Sequence, residues 1–308
     1  MSVTLQDFTI TYGDLVAVDH ISATFQPGST GLLGPNGAGK TSLIKGLLGL
    51  VSLSSGSAEV LGIDVQTDTK EALQKIGYMP EDDCLIPGLT GVGMVQYAGE
   101  LCGMSRTDAM QRAHEVLFLV GLEEARYRNV ETYSAGMKQR IKLAQALVHD
   151  PKLLFLDEPT SGMDPKGRQE MLDLIQNISS RGEMSIVLAT HILVDVERTC
   201  DRVVIMNRGR VLRQGGMGEL RGTYSGAYTV RVEGEREKFQ GLLESRGCTV
   251  NPGERQAFDV ILPEGKDTDL ILEAARDSGN ELRKLVTSLQ TLEDVFMKLV
   301  GDDDNAGL

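Results

Sequence analysis

A glycine-rich segment that ends in a lysine and a threonine constrains the fold of this chain more than any other feature. Its residues are Gly34-Pro35-Asn36-Gly37-Ala38-Gly39-Lys40-Thr41, which match the pattern G-x-x-x-x-G-K-[ST] in full. A short strand predicted over 30–33 precedes the segment, and a helical stripe that includes Leu43 and Leu47 follows it. The sequence therefore predicts a strand, a tight loop and a helix, in that order.

A loop of this kind is suited to holding phosphate groups. Its glycines let backbone N–H groups turn inward, and the N-terminus of the following helix favours an anion. In this pattern Lys40 reaches the β- and γ-phosphates, while the Thr41 hydroxyl ligates Mg²⁺. We expect ATP and Mg²⁺ as cofactors. The predicted nucleotide contacts in this segment are Gly34, Pro35, Asn36, Gly37, Ala38, Gly39, Lys40, Thr41 and Ser42.

Two acidic residues, Asp157 and Glu158, follow the apolar run 153–156. A run of this kind indicates a parallel strand buried on both faces, whose last residue lies at the sheet edge where ligands bind. Asp157 is then placed to hold Mg²⁺, and Glu158 to polarise an attacking water. Taken alone, a solvated acidic turn explains the pair equally well. The complete phosphate loop favours the metal and base roles.

Composition limits the partners of the chain. Its 308 residues fit one large domain and a small one, and its net charge of −13 argues against a nucleic-acid partner. Four scattered cysteines suggest a reduced protein without a zinc site or disulfide framework. No signal peptide is visible, and no run approaches the ~18 to 20 apolar residues of a membrane helix. Any membrane role is therefore expected to act through a partner.

The stretch from Tyr133 to Pro165 carries a family resemblance. The signature segment is Tyr133-Ser134-Ala135-Gly136-Met137-Lys138-Gln139-Arg140. It precedes the acid pair, which continues as Asp157-Glu158-Pro159-Thr160-Ser161-Gly162-Met163-Asp164-Pro165. In this order and approximate spacing the motifs resemble those of ABC ATPases, and the resemblance covers about residues 1–222.

The resemblance implies roles for residues outside the phosphate loop. Tyr12 resembles the aromatic residue that stacks on adenine, although an ordinary tyrosine at a strand end is also plausible. Ser134, Ala135 and Gly136 resemble the contacts to the γ-phosphate of ATP bound by the opposite cassette. Asp164 resembles the acid that communicates between two sites, and it also fits a simple helix cap. His191, after a buried strand, resembles the switch histidine.

Two positions depart from the usual pattern of the family. Ala135 replaces a glycine, which is tolerable in helical or extended geometry and costly at positive φ. Glu81, in Gly77-Tyr78-Met79-Pro80-Glu81, replaces the usual glutamine that contacts Mg²⁺ and the attacking water. Glutamate keeps an oxygen ligand but adds negative charge beside the phosphates. We expect this change to affect turnover rather than nucleotide binding.

These variants, together with segments 216–220 and 288–296, look like the ATP-binding subunits of ABC-2 type exporters. That resemblance implies a homodimer closed by ATP, integral membrane permease subunits as partners, and a peripheral location on the cytoplasmic face of the cell membrane. A soluble ABC ATPase of repair, translation or assembly is the main alternative. A nucleotide-sensing regulator with little turnover is the third, with Glu81 as its one hint.

The predicted fold class is α/β. Residues 1–222 are expected to form a P-loop ABC cassette with a mostly parallel core sheet, an antiparallel flank and a helical subdomain at about 83–145. Residues 223–300 alternate as βαββαβ with an added helix, which predicts a small ferredoxin-like α+β domain. The acidic residues 301–308 are expected to fray.

Overall fold

Strands and helices alternate along the chain, as the hydrophobic pattern predicts. The computed structural model describes residues 1–220, 223–253, 257–263, 266–289 and 292–306. The strands are β1 (Val3–Tyr12), β2 (Leu15–Phe25), β3 (Ser29–Leu33), β4 (Ser55–Val60), β5 (Ile63–Asp64), β6 (Ile76–Met79), β7 (Leu153–Asp157), β8 (Ser185–Thr190), β9 (Arg202–Asn207), β10 (Arg210–Gly216), β11 (Thr223–Glu233), β12 (Thr249–Pro252), β13 (Phe258–Ile261) and β14 (Glu281–Leu289). The α-helices are α1 (Lys40–Leu47), α2 (Thr69–Leu73), α3 (Gly91–Leu101), α4 (Arg106–Leu119), α5 (Ala135–Leu147), α6 (Pro165–Ser180), α7 (Leu193–Thr199), α8 (Met217–Leu220), α9 (Arg236–Ser245), α10 (Asp269–Ser278) and α11 (Leu292–Ala306).

The central sheet has the strand order β10-β9-β3-β8-β7-β6. Its strands pair in parallel except for β10, which lies antiparallel to β9 at one edge. Every residue of β3 and β7 is buried, as continuous apolar runs predict for strands covered on both faces. The carboxyl ends of β3, β8 and β7 therefore lie side by side at one edge of the sheet. The predicted parallel core is confirmed.

A second sheet, with the order β2-β1-β4-β5, is antiparallel. The alternation in β1 predicts that Phe8, Ile10 and Tyr12 share one face, but these three side chains differ in burial. Phe8 and Ile10 are fully buried, whereas Tyr12 is 44% exposed. The reason is that β1 and β2 shift register near these residues, and Asp7 has a φ of 49°. A bulge changes the face toward which the following side chains point.

The helical subdomain is expected at about 83–145, and its first helix begins later within that range. The segment 81–90 contains no helix, and α3 starts at Gly91 with Thr90 as its N-cap. Pro80 and Pro87 explain the delay, because proline lacks the N–H that a helix interior requires. Helices α3, α4 and α5 and two short 3-10 turns, Glu124–Tyr127 and Val130–Thr132, make up the rest.

The C-terminal sheet has the order β12-β13-β11-β14 with antiparallel pairing throughout. Helices α9 and α10 contribute apolar side chains to the same core as its strands, including Phe239 and Ile271. Phe239 also lies against Phe258, with ring centroids 5.9 Å apart. This is the βαββαβ arrangement of a ferredoxin-like unit, as predicted.

The chain divides into two units, Gly218–Lys298 and the remainder, Met1–Met217 with Leu299–Leu308. The sequence predicts a boundary at 222, and residues 221–222 lie outside the described residues. So do Gln290 and Thr291 of the segment 288–296. Residues 301–308 are expected to fray, and in the structure α11 is helical through Ala306. Asn207 Nδ2 donates a hydrogen bond of 2.9 Å to Asp303 of this helix.

Candidate nucleotide-binding site

The phosphate loop, residues 34–41, connects β3 directly to α1. Gly39 caps the helix in the left-handed region, with φ 97°. A Cβ at Gly39 would lie 2.4 Å from the carbonyl oxygen of Ala17, and a Cβ at Gly34 would lie 2.4 Å from that of Met206. The two glycines are therefore required by both conformation and space. The predicted strand, loop and helix are all present.

Lys40 is nearly buried at the start of α1. Its Nζ donates to the carbonyl oxygens of Gly34 at 2.8 Å and Pro35 at 3.1 Å, and it lies 3.8 Å from Glu158 Oε1. Burial lowers the pKa of Lys40, although the negative charges of Glu158, Asp157 and Glu81 oppose this effect. The ammonium group is thus held inside the loop by weak neutral acceptors, which a phosphate oxygen can replace.

Asp157 ends β7 and is fully buried. Neither of its carboxylate oxygens has a hydrogen-bond partner of normal geometry. Burial raises its pKa to about 6. The nearby Thr41 hydroxyl opposes the rise, whereas the charge of Glu81 adds to it. A buried carboxylate without donors is costly unless a cation joins it. Oxygen ligands from Asp157 and Thr41 are the type that Mg²⁺ prefers, so the site fits this metal.

Glu158 turns away from Asp157 because its backbone adopts a left-handed conformation, with φ 47°. Its Oε1 accepts hydrogen bonds from His191 N at 3.0 Å and Nδ1 at 2.9 Å, and its Oε2 accepts one from Thr190 Oγ1 at 3.1 Å. A non-glycine residue with this φ is uncommon and is found disproportionately at functional sites. The structure therefore brings together the predicted base and the predicted switch histidine.

A cavity of about 700 Å³ lies between these elements. Its lining includes the predicted residues Tyr12, Asn36, Gly37, Ala38, Gly39, Lys40, Thr41, Ser42, Glu81, Asp157 and Glu158. Five further lining residues belong to no predicted motif, and they are Leu15, Val16, Ala17, Arg208 and Gly209. Leu15 and Val16 are apolar residues that lie close to Tyr12 in the sequence and are exposed in the structure. The exposure of two apolar side chains is the one feature that points to a binding role for them. Arg208 and Gly209 form the turn between β9 and β10, and neither residue belongs to a sequence motif that indicates a place in the site.

The predicted signature residues and Asp164 do not line this cavity. Ser134 is the N-cap of α5, and its hydroxyl accepts a hydrogen bond from Met137 N. Ala135 opens that helix and has no positive φ, so alanine is tolerated where a glycine is usual. Asp164 caps α6 and accepts a hydrogen bond from Gly167 N at 3.3 Å. Both helix starts leave N–H groups available to an anion.

The segment that carries Glu81 is attached to α5 by a buried lysine. Lys142 is 1% exposed, and its Nζ donates to the carbonyl oxygens of Glu81 at 2.7 Å and Asp82 at 3.2 Å. Burial lowers the pKa of Lys142. Lys138, one turn earlier, pairs with Asp83 at 2.9 Å. The helix that begins with the signature residues therefore also holds the segment that brings Glu81 to the cavity.

Known proteins resemble this chain over nearly its whole length. Residues 18–161 match the family model described as ABC transporter. The linearmycin resistance ATP-binding protein LnrL of Bacillus subtilis (strain 168) is 35% identical over 94% of this chain and 95% of its own. The chain belongs to the ABC transporter ATP-binding proteins. The Nod factor export ATP-binding protein I of Cupriavidus metallidurans is 33% identical over 94% of each chain.

The fold of this ABC subunit also matches solved cassettes. A dimeric structure of MJ0796, a bacterial ABC transporter cassette, has a TM-score of 0.64 and 26% identity. The match covers 70% of this chain and 99% of that one. The chain is accordingly the ATP-binding subunit of an ABC transporter and an ATP hydrolase of the ABC type. Among its described residues, no helix has the length and apolar character needed to cross a bilayer.

Proposed function

We propose that this ABC subunit binds Mg·ATP in the cavity between the phosphate loop and the acid pair. One observation carries the proposal: a fully buried carboxylate, Asp157, has no hydrogen-bond partner of normal geometry and shares its cavity with Lys40 and Thr41. Fixed positive charge and donors on one side, with an unsatisfied carboxylate on the other, suit a metal-bound polyphosphate. Exposed Tyr12, Leu15 and Val16 supply an apolar surface for the adenine base.

Asp157, Thr41 and Glu81 would hold Mg²⁺. The metal would neutralise charge on the β- and γ-phosphates and orient them. Lys40 and the loop amides bind the same phosphates from the protein side. Glu81 offers a carboxylate oxygen where the family resemblance implies an amide. These groups act mainly by positioning and by electrostatic stabilisation.

Glu158 would orient the attacking water and accept its proton, with His191 setting the direction of the carboxylate. Two hydrogen bonds from His191 and one from Thr190 support this role, because they fix both carboxylate oxygens. The imidazole is partly exposed, so it can also reach a γ-phosphate bound nearby. Proton acceptance and geometry are then combined in one pair of side chains.

A second copy of this chain would complete each site. Ser134, Ala135, Gly136 and Asp164 lie at helix starts that do not line their own chain's cavity, so they are available to nucleotide held by another copy. The dimeric cassette with the same fold supports this arrangement. Closure of two copies around ATP would be the step that performs work.

The subunit would transmit that closure to integral membrane permease subunits. Membership of the transporter family supports such partners. Relatives named for export and for antibiotic resistance support an exporter of the ABC-2 type. We place the chain at the cytoplasmic face of the cell membrane, held there by the permease.

Turnover and sizing test this proposal together. Glu158→Gln is expected to lower the hydrolysis rate by about 100-fold or more, the range for loss of a general base, and to form a dimer with ATP. Lys40→Ala should lose nucleotide binding and stay a monomer. Wild-type turnover in Glu158→Gln would remove the assigned base. A strict monomer of that variant at high concentration with ATP would contradict the assembly.

A further inference from the structure

A buried carboxylate outside the nucleotide cavity joins three segments of the site. Asp195 lies in α7, shortly after His191, and its side chain is 1% exposed. Its Oδ1 accepts hydrogen bonds from Arg168 Nε at 2.9 Å and Nη2 at 2.6 Å, and its Oδ2 accepts one from Thr160 Oγ1 at 2.8 Å. Both oxygens are therefore satisfied, because two guanidinium N–H groups converge on Oδ1 and the Thr160 hydroxyl bonds Oδ2.

The Thr160 bond reaches the turn that follows Glu158. In that turn Ser161 N donates to the Glu158 carbonyl at 3.1 Å, and Met163 N donates to the Thr160 carbonyl at 3.3 Å. Gln139 Nε2 of α5 donates to the Ser161 carbonyl at 2.9 Å. Thr160, whose hydroxyl donates to Asp195, thus belongs to the turn that connects the proposed base Glu158 with helix α5, which begins with the signature residues.

The Arg168 bonds reach the start of α6. Arg168 lies one turn inside this helix, and its N–H donates to the carbonyl of Asp164 at 2.9 Å. The guanidinium is held on both its Nε and Nη2, which restrains rotation of the helix as well as its distance from α7. The position of Asp164 therefore depends on where Asp195 lies.

The backbone of Asp195 leads back to His191. Asp195 N donates to the Ile192 carbonyl at 3.2 Å, and Ile192 N donates to Thr190 Oγ1 at 3.1 Å. His191 and Thr190 both bond Glu158. The contacts form a closed ring that runs from Glu158 through His191 and Asp195 to Thr160, and back along the chain to Glu158.

We propose that Asp195 is a positioning residue for ATP hydrolysis. It holds three segments in fixed positions relative to one another: the turn after Glu158, the start of α6 at Asp164 and the segment that carries His191. Asp195 does not line the nucleotide cavity, so it acts through these residues and not on ATP itself. The inference rests on the roles proposed above for Glu158, His191 and Asp164. The charge of a carboxylate strengthens the two guanidinium bonds at Oδ1, while Oδ2 accepts the Thr160 hydroxyl; an asparagine would remove that charge and replace the Oδ2 acceptor with a donor.

The test compares Asp195→Asn with Asp173→Asn. Asp173 of α6 pairs with Arg198 of α7 at 2.6 Å, so it joins the same two helices, but on their exposed side. Asp195→Asn in the full chain is expected to lower kcat between about 10-fold and 100-fold, as displacement of a catalytic group does. The KM for ATP should stay unchanged, because the phosphate loop is untouched. Asp173→Asn should keep the wild-type kcat.

Melting temperatures separate positioning from simple structural support. If Asp195 only stabilises the fold, kcat should fall in proportion to Tm in both Asp195→Asn and Asp173→Asn. That result would overturn the proposal. Wild-type kcat in Asp195→Asn would overturn it as well. If Asp195→Asn does not fold, Thr160→Val removes only the hydroxyl bond. It should lower kcat at constant KM, and an unchanged kcat there would equally refute the inference.

The proposed function fails in a different way. Equal turnover in wild type and Glu158→Gln would remove the base whatever Asp195 does. A normal loss of turnover in Glu158→Gln, combined with wild-type kcat in Asp195→Asn, would leave the function standing and refute only the positioning role.

Discussion

The Asp157 carboxylate titrates far from its usual range because burial opposes its charge. Its pKa is about 6 in the folded chain, against 3.8 for a free aspartate. The folded state therefore binds this proton more tightly than the unfolded state does. The resulting stability is fully present below pH 3.8 and is lost as the pH rises through about 6. At neutral pH the buried charge lowers the free energy of unfolding by an amount on the order of 3 kcal/mol, at about 1.36 kcal/mol per pKa unit.

Asp157→Asn should therefore raise the Tm of the nucleotide-free chain at neutral pH, because asparagine carries no charge to desolvate. The gain should shrink as the pH falls toward about 5, where Asp157 takes up its proton. Thermal melts across this pH range check the prediction. Mg·ATP should then stabilise the wild type more than the variant. A lower Tm of the variant at neutral pH without metal would contradict the account.

Glu81 adds charge to the same cavity, and its removal should change the rate of hydrolysis. Glu81→Gln keeps an oxygen ligand and lowers the pKa of Asp157, because the Glu81 charge contributes to raising it. We expect ATP affinity to stay similar, while kcat changes and the acidic limb of its pH profile moves to lower pH. Nucleotide titrations and kcat against pH measure both effects. A large loss of ATP binding would show that Glu81 has been assigned wrongly.

At this scale the sequence supplies residue types, and the structure supplies their orientation. The acid pair and the phosphate loop are local patterns, so both can be predicted. The left-handed backbone of Glu158 cannot, because nothing in the sequence around 158 marks it. Its hydrogen bonds to Thr190 and His191 join residues far apart in the chain. The ring through Asp195 is hidden from sequence for the same reason.

Helix α5 serves two parts of the site, since it begins with the signature residues and holds the segment of Glu81 through Lys142. Removing the Lys142 ammonium leaves the carbonyls of Glu81 and Asp82 without their donor. Lys142→Met is expected to destabilise the chain by about 1–3 kcal/mol, the cost of unsatisfied buried groups. Lys138→Met breaks only the partly exposed pair with Asp83, which contributes less than about 1 kcal/mol.

Denaturant unfolding of the two lysine variants measures this difference. Turnover gives a second readout, because release of segment 81–83 should lower kcat in Lys142→Met and leave Lys138→Met close to wild type. Equal stability and equal turnover in the two variants would show that the buried contact does not position Glu81.

Elements with a strong period were predictable, and irregular segments were not. The buried strands β3, β7 and β8 and the helices around them follow continuous apolar runs and helical stripes. The bulge in β1 shifts the strand pairing but leaves no mark on the alternating sequence pattern. The exposure of Tyr12 could therefore not be inferred from that pattern. In the segment 81–90, Pro87 is the residue that disfavours a helix, and the other residues are compatible with one.

At the scale of the whole molecule, the sheet explains why distant motifs meet. Parallel strands β3, β8 and β7 end at one edge, which gathers the phosphate loop, His191 and the acid pair from three parts of the chain. The sequence order of the motifs predicts this gathering. It does not predict that the turn at Arg208 and Gly209 closes the cavity, because that turn carries no motif. The C-terminal unit has its own core and strand order.

The central claim is that one Mg·ATP binds between Lys40 and Asp157 and is hydrolysed with the help of Glu158. Gel filtration after incubation with Mg·ATP tests it most directly, with ATP, ADP and magnesium measured in the protein peak. The account predicts that Glu158→Gln retains intact ATP and magnesium in equal amounts, and that Lys40→Ala elutes empty. A Glu158→Gln peak that contains no nucleotide, or only ADP, would contradict the account.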